Sequence, residues 1–297
     1  MSQITPQLDN LQRFIFDNAP VRGEWVHMQE SWQEVLKRRD YPPAVQRLLG
    51  EMMAAAALLT ATVKMTGRLV LQIRAEGPVS LAMVECTSQN TLRALAQWEG
   101  HIHDDAKLSE VTGAGTLAIT IEVEGAKQPY QGVVSLEGDS IATVLETYFR
   151  HSEQLATRIW LAANDRDVAG MLLQQLPDQE DVEQEHWSRI SQLADTVTDE
   201  EMLGLDALTM LHRLFHEEQV RLLSTTDLSF ACTCSRERVA DTISLLGQQE
   251  AESILDERGE IEVACQFCNE HYIFDKVDVA EIFTNTVSAS SDPNTLH

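Results

Sequence analysis

The stretch GRLVLQIRAEGPVSLAMVEC, residues 67–86, decides the fold class of the first part of the chain. It consists of two segments rich in Leu, Val and Ile, separated by Gly77-Pro78, a dipeptide that is typical of turns. We therefore predict two strands joined by a turn. Cys86 ends the second segment, and its place in an apolar strand pattern indicates a small buried hydrophobic residue rather than a reactive thiol.

More strand patterns lie on both sides of these two predicted strands. Strands are predicted for VRGEWVHM (21–28), GTLAITIEVEG (115–125), YQGVVSLEG (130–138), ATRIWLAAN (156–164) and VAGMLLQQL (168–176). Helical spacing occurs in LDNLQRFIFD (8–17) and around residues 141–151, and Pro42-Pro43 open a further apolar helix that runs towards Thr66. The pattern predicts an α+β fold for residues 1–177, with a largely antiparallel or mixed sheet.

Residues 178–230 have a different character. A charge run, DQEDVEQEH (178–186), is followed by apolar residues at helical spacing and no strand pattern of their own. Such helices must lay their apolar stripe on something else, so we predict a helical linker docked on its neighbours. The residues of the stripe in its second half are Leu205, Leu208, Leu211, Leu214 and Phe215.

Four of the five cysteines lie in two short segments, ACTCSRERV (231–239) and ACQFCNEHY (264–272). Zinc prefers four tetrahedral thiolate or imidazole ligands, and C-x-x-C is a frequent spacing in such sites. We therefore predict that residues 231–297 form a small zinc domain with one Zn²⁺ per chain. Strand residues are expected on both sides of the second pair, and His271 is an alternative ligand. The predicted ligands are Cys232, Cys234, Cys265 and Cys268.

The charge of the chain restricts its partners. There are 22 Lys and Arg against 47 Asp and Glu, a formal net charge of -25. Nucleic acids and anionic membranes attract proteins through Lys and Arg, so neither is an expected partner. A dozen apolar residues at 52–63 fall short of the roughly 20 that span a bilayer. No targeting segment or ATP-binding P-loop motif is recognisable, and we expect a cytoplasmic protein whose cysteines start reduced.

The residues alone leave the role of the thiols open. Zinc holds its ligands as thiolates, which are the form that oxidants attack, and both cysteine pairs are close enough in sequence to form local disulfides. A static zinc ribbon in an adaptor protein and a redox switch both fit this pattern. A thiol–disulfide oxidoreductase is a third possibility, although its C-x-x-C normally opens a helix.

At the cysteine segments the chain resembles a known family, the 33 kDa heat-shock chaperones, which are redox-regulated holdases of bacteria. FACTCSRERV (230–239) and GEIEVACQFCNEHYIF (259–274) are similar to the two zinc-binding segments of that family. Ala169 stands where the family pattern has a second glycine before Gly170. The resemblance extends over almost the whole length through YQGVVSLEGDS (130–140), SEQLATR (152–158), GMLLQQLP (170–177) and RLFHEEQVR (213–221).

The resemblance implies an ATP-independent chaperone that is not an enzyme and is inactive while reduced and zinc-bound. Oxidation would form the disulfides Cys232–Cys234 and Cys265–Cys268, release zinc, unfold the C-terminal region with its linker and promote a homodimer. The active form would hold unfolding client proteins. Their expected binding residues lie on the linker stripe: Leu205, Leu208, Leu211 and Phe215.

Overall fold

A computed structural model describes residues 9–177 and 182–289 of the chain. The chain divides into two compact units, Met1–Ala231 and Cys232–His297. Residues 178–181, where the predicted linker and its charge run begin, lie outside the described residues, as do residues 290–297 at the end of the predicted zinc domain.

The described residues form thirteen strands and ten α-helices. The strands of the first unit are β1 (Asn10–Phe16), β2 (Val21–Met28), β3 (Gly67–Ala75), β4 (Val79–Thr87), β5 (Thr91–Trp98), β6 (Gly115–Val123), β7 (Tyr130–Ser135), β8 (Thr157–Ala163), β9 (Val168–Gln175), β10 (Val220–Asp227) and β11 (Ser229–Phe230). Its helices are α1 (Glu30–Leu36), α2 (Pro43–Thr62), α3 (Leu108–Thr112), α4 (Ile141–Tyr148), α5 (Val182–Ala194), α6 (Asp199–Gly204) and α7 (Ala207–Phe215), with a π-helical turn at Phe149–Glu153. The second unit contains α8 (Arg236–Leu246), α9 (Gln248–Arg258), β12 (Ile261–Ala264), β13 (His271–Phe274) and α10 (Lys276–Ala289).

The stretch 67–86 forms the centre of a six-stranded sheet with the order β11-β5-β4-β3-β6-β7. β3 and β4 pair antiparallel, with Leu71 opposite Val84, which confirms the predicted strand pair. Strands β6 and β7, which the sequence also predicts, pair antiparallel as well. Only two residues of β11 run parallel to β5, so the sheet is mixed as predicted, and the α+β fold class is confirmed.

Helix α2 is buried on most of its surface, as its apolar sequence predicts. Pro42 and Pro43 start the helix, because proline lacks the N–H that the first turn would leave unbonded. It ends at Thr62, one turn before the predicted end at Thr66. At Gly170 of β9, a Cβ atom would lie 2.9 Å from Leu58 Cδ1, so glycine lets the helix approach the strand closely.

A second, five-stranded antiparallel sheet has the order β10-β1-β2-β9-β8. The helical prediction for residues 8–17 is wrong, since Asn10–Phe16 is β1. The reason is that both faces of β1 are covered: Leu11 belongs to the core cluster around α2, whereas Phe14 and Phe16 belong to a cluster on the other face. A strand buried on both faces loses the alternation of apolar and polar residues that identifies strands.

Helices α5, α6 and α7 of the predicted linker cover the second face of this sheet. Met210, Leu214 and Phe215 pack with strand residues such as Phe16 and Trp25 in one buried cluster. The ring centroids of Phe16 and Phe215 are 5.1 Å apart. The helices of the predicted linker are therefore packed on the five-stranded sheet through a continuous apolar contact.

Two expectations for this segment need correction. Leu208 does not dock, because its place on α7 turns it outward and leaves it 62% exposed, whereas Met210 is fully buried. The segment is also not purely helical. Residues 220–227 form strand β10, which pairs antiparallel with β1 at the edge of the five-stranded sheet. Six of its eight residues, Arg221 to Thr225 and Asp227, are exposed, so the strand has no buried face that a sequence pattern could reveal.

The second unit is built around the hairpin β12–β13. This hairpin contains Ile261, Val263, Tyr272 and Phe274, the residues predicted as strand neighbours of the second cysteine pair. Three helices that the sequence did not predict, α8, α9 and α10, surround the core of this unit. Among its described residues, that core cluster contains six buried apolar residues: Ile243, Ala251, Leu255, Ile261, Phe274 and Val279.

Candidate metal centre

The second cysteine pair lies in the turn of the hairpin β12–β13. The Cys265 amide donates a hydrogen bond of 2.8 Å to the Glu270 carbonyl, and the Asn269 amide donates one of 2.8 Å to the Cys265 carbonyl. Asn269 has a φ of 57°, a left-handed conformation that asparagine tolerates better than most residues. These contacts close the turn that contains Cys265 and Cys268.

The first cysteine pair lies in the loop that leads into α8. Ser235 is the N-cap of this helix and accepts a hydrogen bond of 3.3 Å from the Arg238 amide. The Arg238 guanidinium in turn donates to the Thr233 carbonyl at 2.8 Å, between the two cysteines. The segment Ser235–Arg238 thus holds the backbone of the loop in place against the first turn of the helix.

The four sulfur atoms form one compact group. Cys232 Sγ lies 3.7 Å from Cys265 Sγ, and Cys234 Sγ lies 3.3 Å from Cys268 Sγ. All four lie within 4.8 Å of one another. Tetrahedral Zn–S bonds of about 2.3 Å place sulfur atoms roughly 3.8 Å apart. The group therefore fits one tetrahedral ion of this size, with no ligand position left over for a substrate or water.

The surroundings of the thiols favour a bound cation. Burial raises the pKa of the Cys268 thiol, and it raises that of the Cys234 thiol as well. Burial thus disfavours the thiolate form of these two side chains, whereas a bound divalent cation would deprotonate its thiol ligands. The Tyr272 hydroxyl also donates a hydrogen bond of 3.1 Å to Cys234 Sγ.

The structure brings together the four predicted ligands and separates the alternatives from them. His271 Nδ1 is 2.6 Å from a Glu262 carboxylate oxygen, and His271 is not a member of the cluster. Cys86 is a buried free thiol on β4, where burial raises its pKa to about 11. Among residues 9–177 and 182–289, the four cysteines are the one group of His, Cys, Asp or Glu side chains that could hold a metal.

Sequence reasoning missed one contact of this site. Tyr272 was predicted only as a strand residue, yet its hydroxyl connects β13 to the loop of the first cysteine pair. A signal exists in the spacing: Tyr272 follows Cys268 by four residues and points inward at the start of a strand. Of the proposed client-binding residues, Leu211 and Phe215 are buried, Leu205 is half-buried and Leu208 is exposed.

The fold and the site define a two-unit α+β protein whose smaller unit contains a cluster of four thiols that could hold a metal ion. The chain belongs to the Hsp33 protein family, whose family model matches residues 9–275. This confirms the resemblance found in the sequence.

Individual proteins agree with this assignment. The 33 kDa chaperonin of Nitrosococcus oceani is 50% identical over 281 residues, which cover 95% of this chain and 96% of that protein. The 33 kDa chaperonin of Ectopseudomonas mendocina is 50% identical over 286 residues, covering 94% and 97%. A crystal structure of the 33 kDa chaperonin, or heat shock protein 33 homolog, from Thermotoga maritima matches with a TM-score of 0.83 at 25% identity. It covers 95% of this chain and 99% of that one.

Within the described residues, no helix combines the length and the apolar character that crossing a membrane requires.

Proposed function

We propose that this chain is a redox-regulated, ATP-independent chaperone of the holdase type. It would be inactive while Cys232, Cys234, Cys265 and Cys268 bind one Zn²⁺, and active once they are oxidised. The observation that carries the proposal is that four thiols from two loops meet at one point in a small separate unit. Membership of a family whose relatives are named chaperonins supports it.

The zinc would be the main source of stability for the second unit. Structural zinc contributes about 10–16 kcal/mol of apparent binding free energy, which is also folding free energy. The core cluster of the unit contains six buried apolar residues among those that the structure describes. Fully burying one large apolar side chain contributes about 1.5–3 kcal/mol, much of which the lost chain entropy offsets. Loss of the metal would therefore unfold this unit.

Oxidation would convert the thiolate ligands into disulfides, and the zinc ion would then be released. In each pair, two thiolates and one hydrogen peroxide molecule would give one disulfide and two hydroxide ions, with two electrons passing from sulfur to peroxide. The proposed disulfides are Cys232–Cys234 and Cys265–Cys268, and a disulfide sulfur is a far poorer zinc ligand than a thiolate. The proposed pairing stays within each loop, whereas two close sulfur contacts of the reduced form, Cys232 to Cys265 and Cys234 to Cys268, run between the loops.

The linker would be the element that responds next. β11 connects the linker to Cys232 and is held to β5 by only two residue pairs. Unfolding that starts at Cys232 would therefore reach β11 and then β10 first. Release of α7 would expose Leu211 and Phe215. Leu205 belongs to the same apolar surface, whereas Leu208 is already exposed on the outer side of the helix. We propose this surface for binding unfolded clients, and a homodimer for the oxidised form.

The partners follow from the charge. A formal net charge of -25 disfavours nucleic acid and anionic membranes and would keep complexes with clients in solution. A cytoplasmic location would supply the reducing conditions that maintain the zinc-bound state.

Zinc, free thiols and aggregation of a denaturing client should be measured together, before and after peroxide treatment. We expect one zinc and five free thiols per reduced chain, and no zinc and one free thiol after oxidation. Suppression of aggregation without ATP should appear only in the oxidised sample. An oxidised, zinc-free protein that fails to suppress aggregation would refute the chaperone switch.

One alternative function, a static zinc ribbon in an adaptor protein, has an observation in its favour. The four sulfurs form a closed set without an open ligand position, as in static zinc ribbons of adaptor proteins. Zinc that stays bound through peroxide treatment would favour this rival. A thiol–disulfide oxidoreductase is less well supported, because Cys265 and Cys268 lie in a hairpin turn rather than at the start of a helix. Insulin reduction by the reduced chain would support it.

A further inference from the structure

Strand β7 is the outer strand of the six-stranded sheet, and one of its edges has no partner strand among the described residues. Its other edge pairs with β6 without a break in register. The Leu136 amide donates to the Gly115 carbonyl at 3.0 Å, and hydrogen bonding alternates from this pair along the antiparallel ladder, so that Tyr130 and every second residue after it bond to β6. The residues whose amides and carbonyls point away from the sheet are Gln131, Val133 and Ser135.

The free edge of β7 is open and is held in an extended conformation from its inner side. All three outward residues are exposed, Val133 to 57%. On the inner side, a Cβ atom on Gly132 would lie 2.4 Å from Cε2 of Tyr148, so the strand lies directly on this ring. The hydroxyl groups of Tyr130 and Tyr148 are 2.8 Å apart. A strand that is already ordered pays little conformational entropy when another strand pairs with it.

Other strands at sheet edges in the first unit are protected against such pairing. Proteins protect free edges with covering elements, bulges, charged side chains or very short strands. The Ile159 amide of β8 donates a hydrogen bond of 2.8 Å to a Glu146 carboxylate oxygen from α4. β10 has a bulge at Leu223 and carries Arg221, and β11 has only two residues. β7, with the sequence YQGVVS, has no charged residue and no bulge.

The charges at the two ends of β7 indicate what kind of strand would pair with it. Glu153 lies at its start and accepts a hydrogen bond of 2.8 Å from the Tyr130 hydroxyl, while Glu137 and Asp139 follow its end and are exposed. Lys127 is the one basic residue within three sequence positions of the strand. A second copy, pairing antiparallel about a two-fold axis, would bring the acidic start of one strand against the acidic end of the other. Charge therefore disfavours a second copy, and it favours a strand with basic ends.

We propose that the free edge of β7 binds an extended segment of a client protein by strand addition. The segment has an apolar, strand-forming centre and Lys or Arg at its ends. Main-chain hydrogen bonds to Gln131, Val133 and Ser135 supply the affinity, and the exposed Val133 side chain contacts an apolar side chain of the added strand. That the partner is a client rests on the proposed holdase function, whereas strand binding at this edge does not.

The edge complements the linker surface. It belongs to the first unit and is open while the linker is docked, so it is available in the reduced and in the oxidised form. One short added strand binds weakly. Once the linker is released, its apolar surface provides a second contact to the same client, and two linked contacts bind more tightly than either alone.

The test measures binding of a fluorescent peptide to the reduced full-length protein by anisotropy. The peptide has a centre as long as β7, with alternating Val and Thr, and lysines at both ends. One comparison peptide has every central amide N-methylated, and another has glutamates at its ends. Val133→Pro removes an outward amide without removing a hydrogen bond to β6, and Val133→Thr is the matched control that keeps the amide and the branched side chain.

We expect the lysine-ended peptide to bind Val133→Pro about tenfold more weakly than wild type, because one or two backbone hydrogen bonds are lost. Val133→Thr should bind it like wild type, and both comparison peptides should bind wild type more weakly. Hydrogen exchange of residues 130–135 should slow when the peptide binds. Exchange of β6 in Val133→Pro shows whether the sheet is intact, and the N-methylated peptide tests the same hydrogen bonds on the wild-type fold.

Absence of binding, equal binding of the N-methylated peptide, or binding without slower exchange in β7 would overturn the proposal. A concentration-dependent dimer of the reduced wild type that Val133→Pro abolishes would also overturn it, because β7 would then pair with a second copy. These results are independent of the switch. An oxidised protein that fails to suppress aggregation would refute the holdase function and leave strand binding by the reduced protein as measured.

Discussion

The two units of this chain contain the same types of residue but are stabilised in different ways. The first buries α2 between strands of two sheets and covers a further sheet face with the linker helices. In the described part of the second, the core cluster has six buried apolar residues. The sequence of residues 232–297 contains thirteen Asp and Glu but only four Lys and Arg. Repulsion among these acidic groups opposes folding. On the proposed zinc binding, this difference locates the response to a chemical signal: removal of the one ion would unfold the second unit and leave the first folded.

The largest expected effect is the loss of a ligand. Cys268→Ser should remove most of the zinc affinity, because a site with three thiolates loses both charge and closure. Since zinc contributes about 10–16 kcal/mol of apparent folding free energy, the second unit should unfold while the first stays folded. Zinc content and limited proteolysis of the reduced protein would measure this.

Cys86→Ala provides the control for this experiment. Cys86 is buried in the first unit, so its replacement should leave zinc content unchanged. Full zinc retention in Cys268→Ser would show that the ligand assignment is wrong.

The next effect concerns the linker. Met210→Glu places a carboxylate in the fully buried cluster between α7 and the five-stranded sheet. Loss of a buried methionine alone costs about 2–5 kcal/mol, and burying an unpaired charge adds to this. The linker should therefore undock without loss of zinc, and the reduced protein should be partly active in an aggregation assay.

Leu208→Glu is the matched control on the same helix, because Leu208 is largely exposed. It should leave the reduced protein inactive and its linker protected from protease. Reduced Met210→Glu is compared with reduced Leu208→Glu in both assays. If it is equally inactive against aggregation and its linker is equally protected from protease, docking of the linker does not restrain chaperone activity.

Part of this structure could be predicted from the sequence. Strands β3 and β4, helix α2 and the four-cysteine cluster follow from local patterns, namely a turn dipeptide, an unbroken apolar run and paired ligand spacing. β1 could not be predicted because Leu11 and Phe14 belong to cores on opposite faces of one strand. The orientation of Leu208 depends on where α7 begins, since a change of a few residues in the start of a short helix changes which apolar side chains face inward.

A smaller effect is expected on the stability of the first unit, which should depend on pH. Burial raises the pKa of Glu24 on β2 from 4.5 to about 7, and one of its oxygens has no hydrogen-bond partner. The folded state therefore binds a proton more tightly than the unfolded state. This stability is fully present below pH 4.5 and is lost as the pH rises to about 7, a change of about 3 kcal/mol.

Urea unfolding of the first unit, followed by tryptophan fluorescence at pH 5 and pH 8, would measure this change. Glu24→Gln should flatten the fall in stability between the two pH values. A slope equal to that of wild type would exclude Glu24 as its source.

The smallest effect is expected at Cys86. Because burial raises its pKa to about 11, only about one molecule in ten thousand carries the thiolate at pH 7. Brief peroxide treatment should therefore oxidise the four clustered cysteines and leave Cys86 free. Mass mapping that finds Cys86 in an intramolecular disulfide would contradict the difference in reactivity between the two units.

Hydrogen exchange of the full chain, measured by mass spectrometry before and after peroxide treatment, tests the contrast between the units most directly. Oxidation should remove protection throughout residues 232–289 and from the linker helices at 182–215. Helix α2 and strands β3 to β6 should keep theirs, with one zinc released per chain. Zinc release with unchanged exchange in the second unit, or an equal loss of protection in both units, would contradict the account.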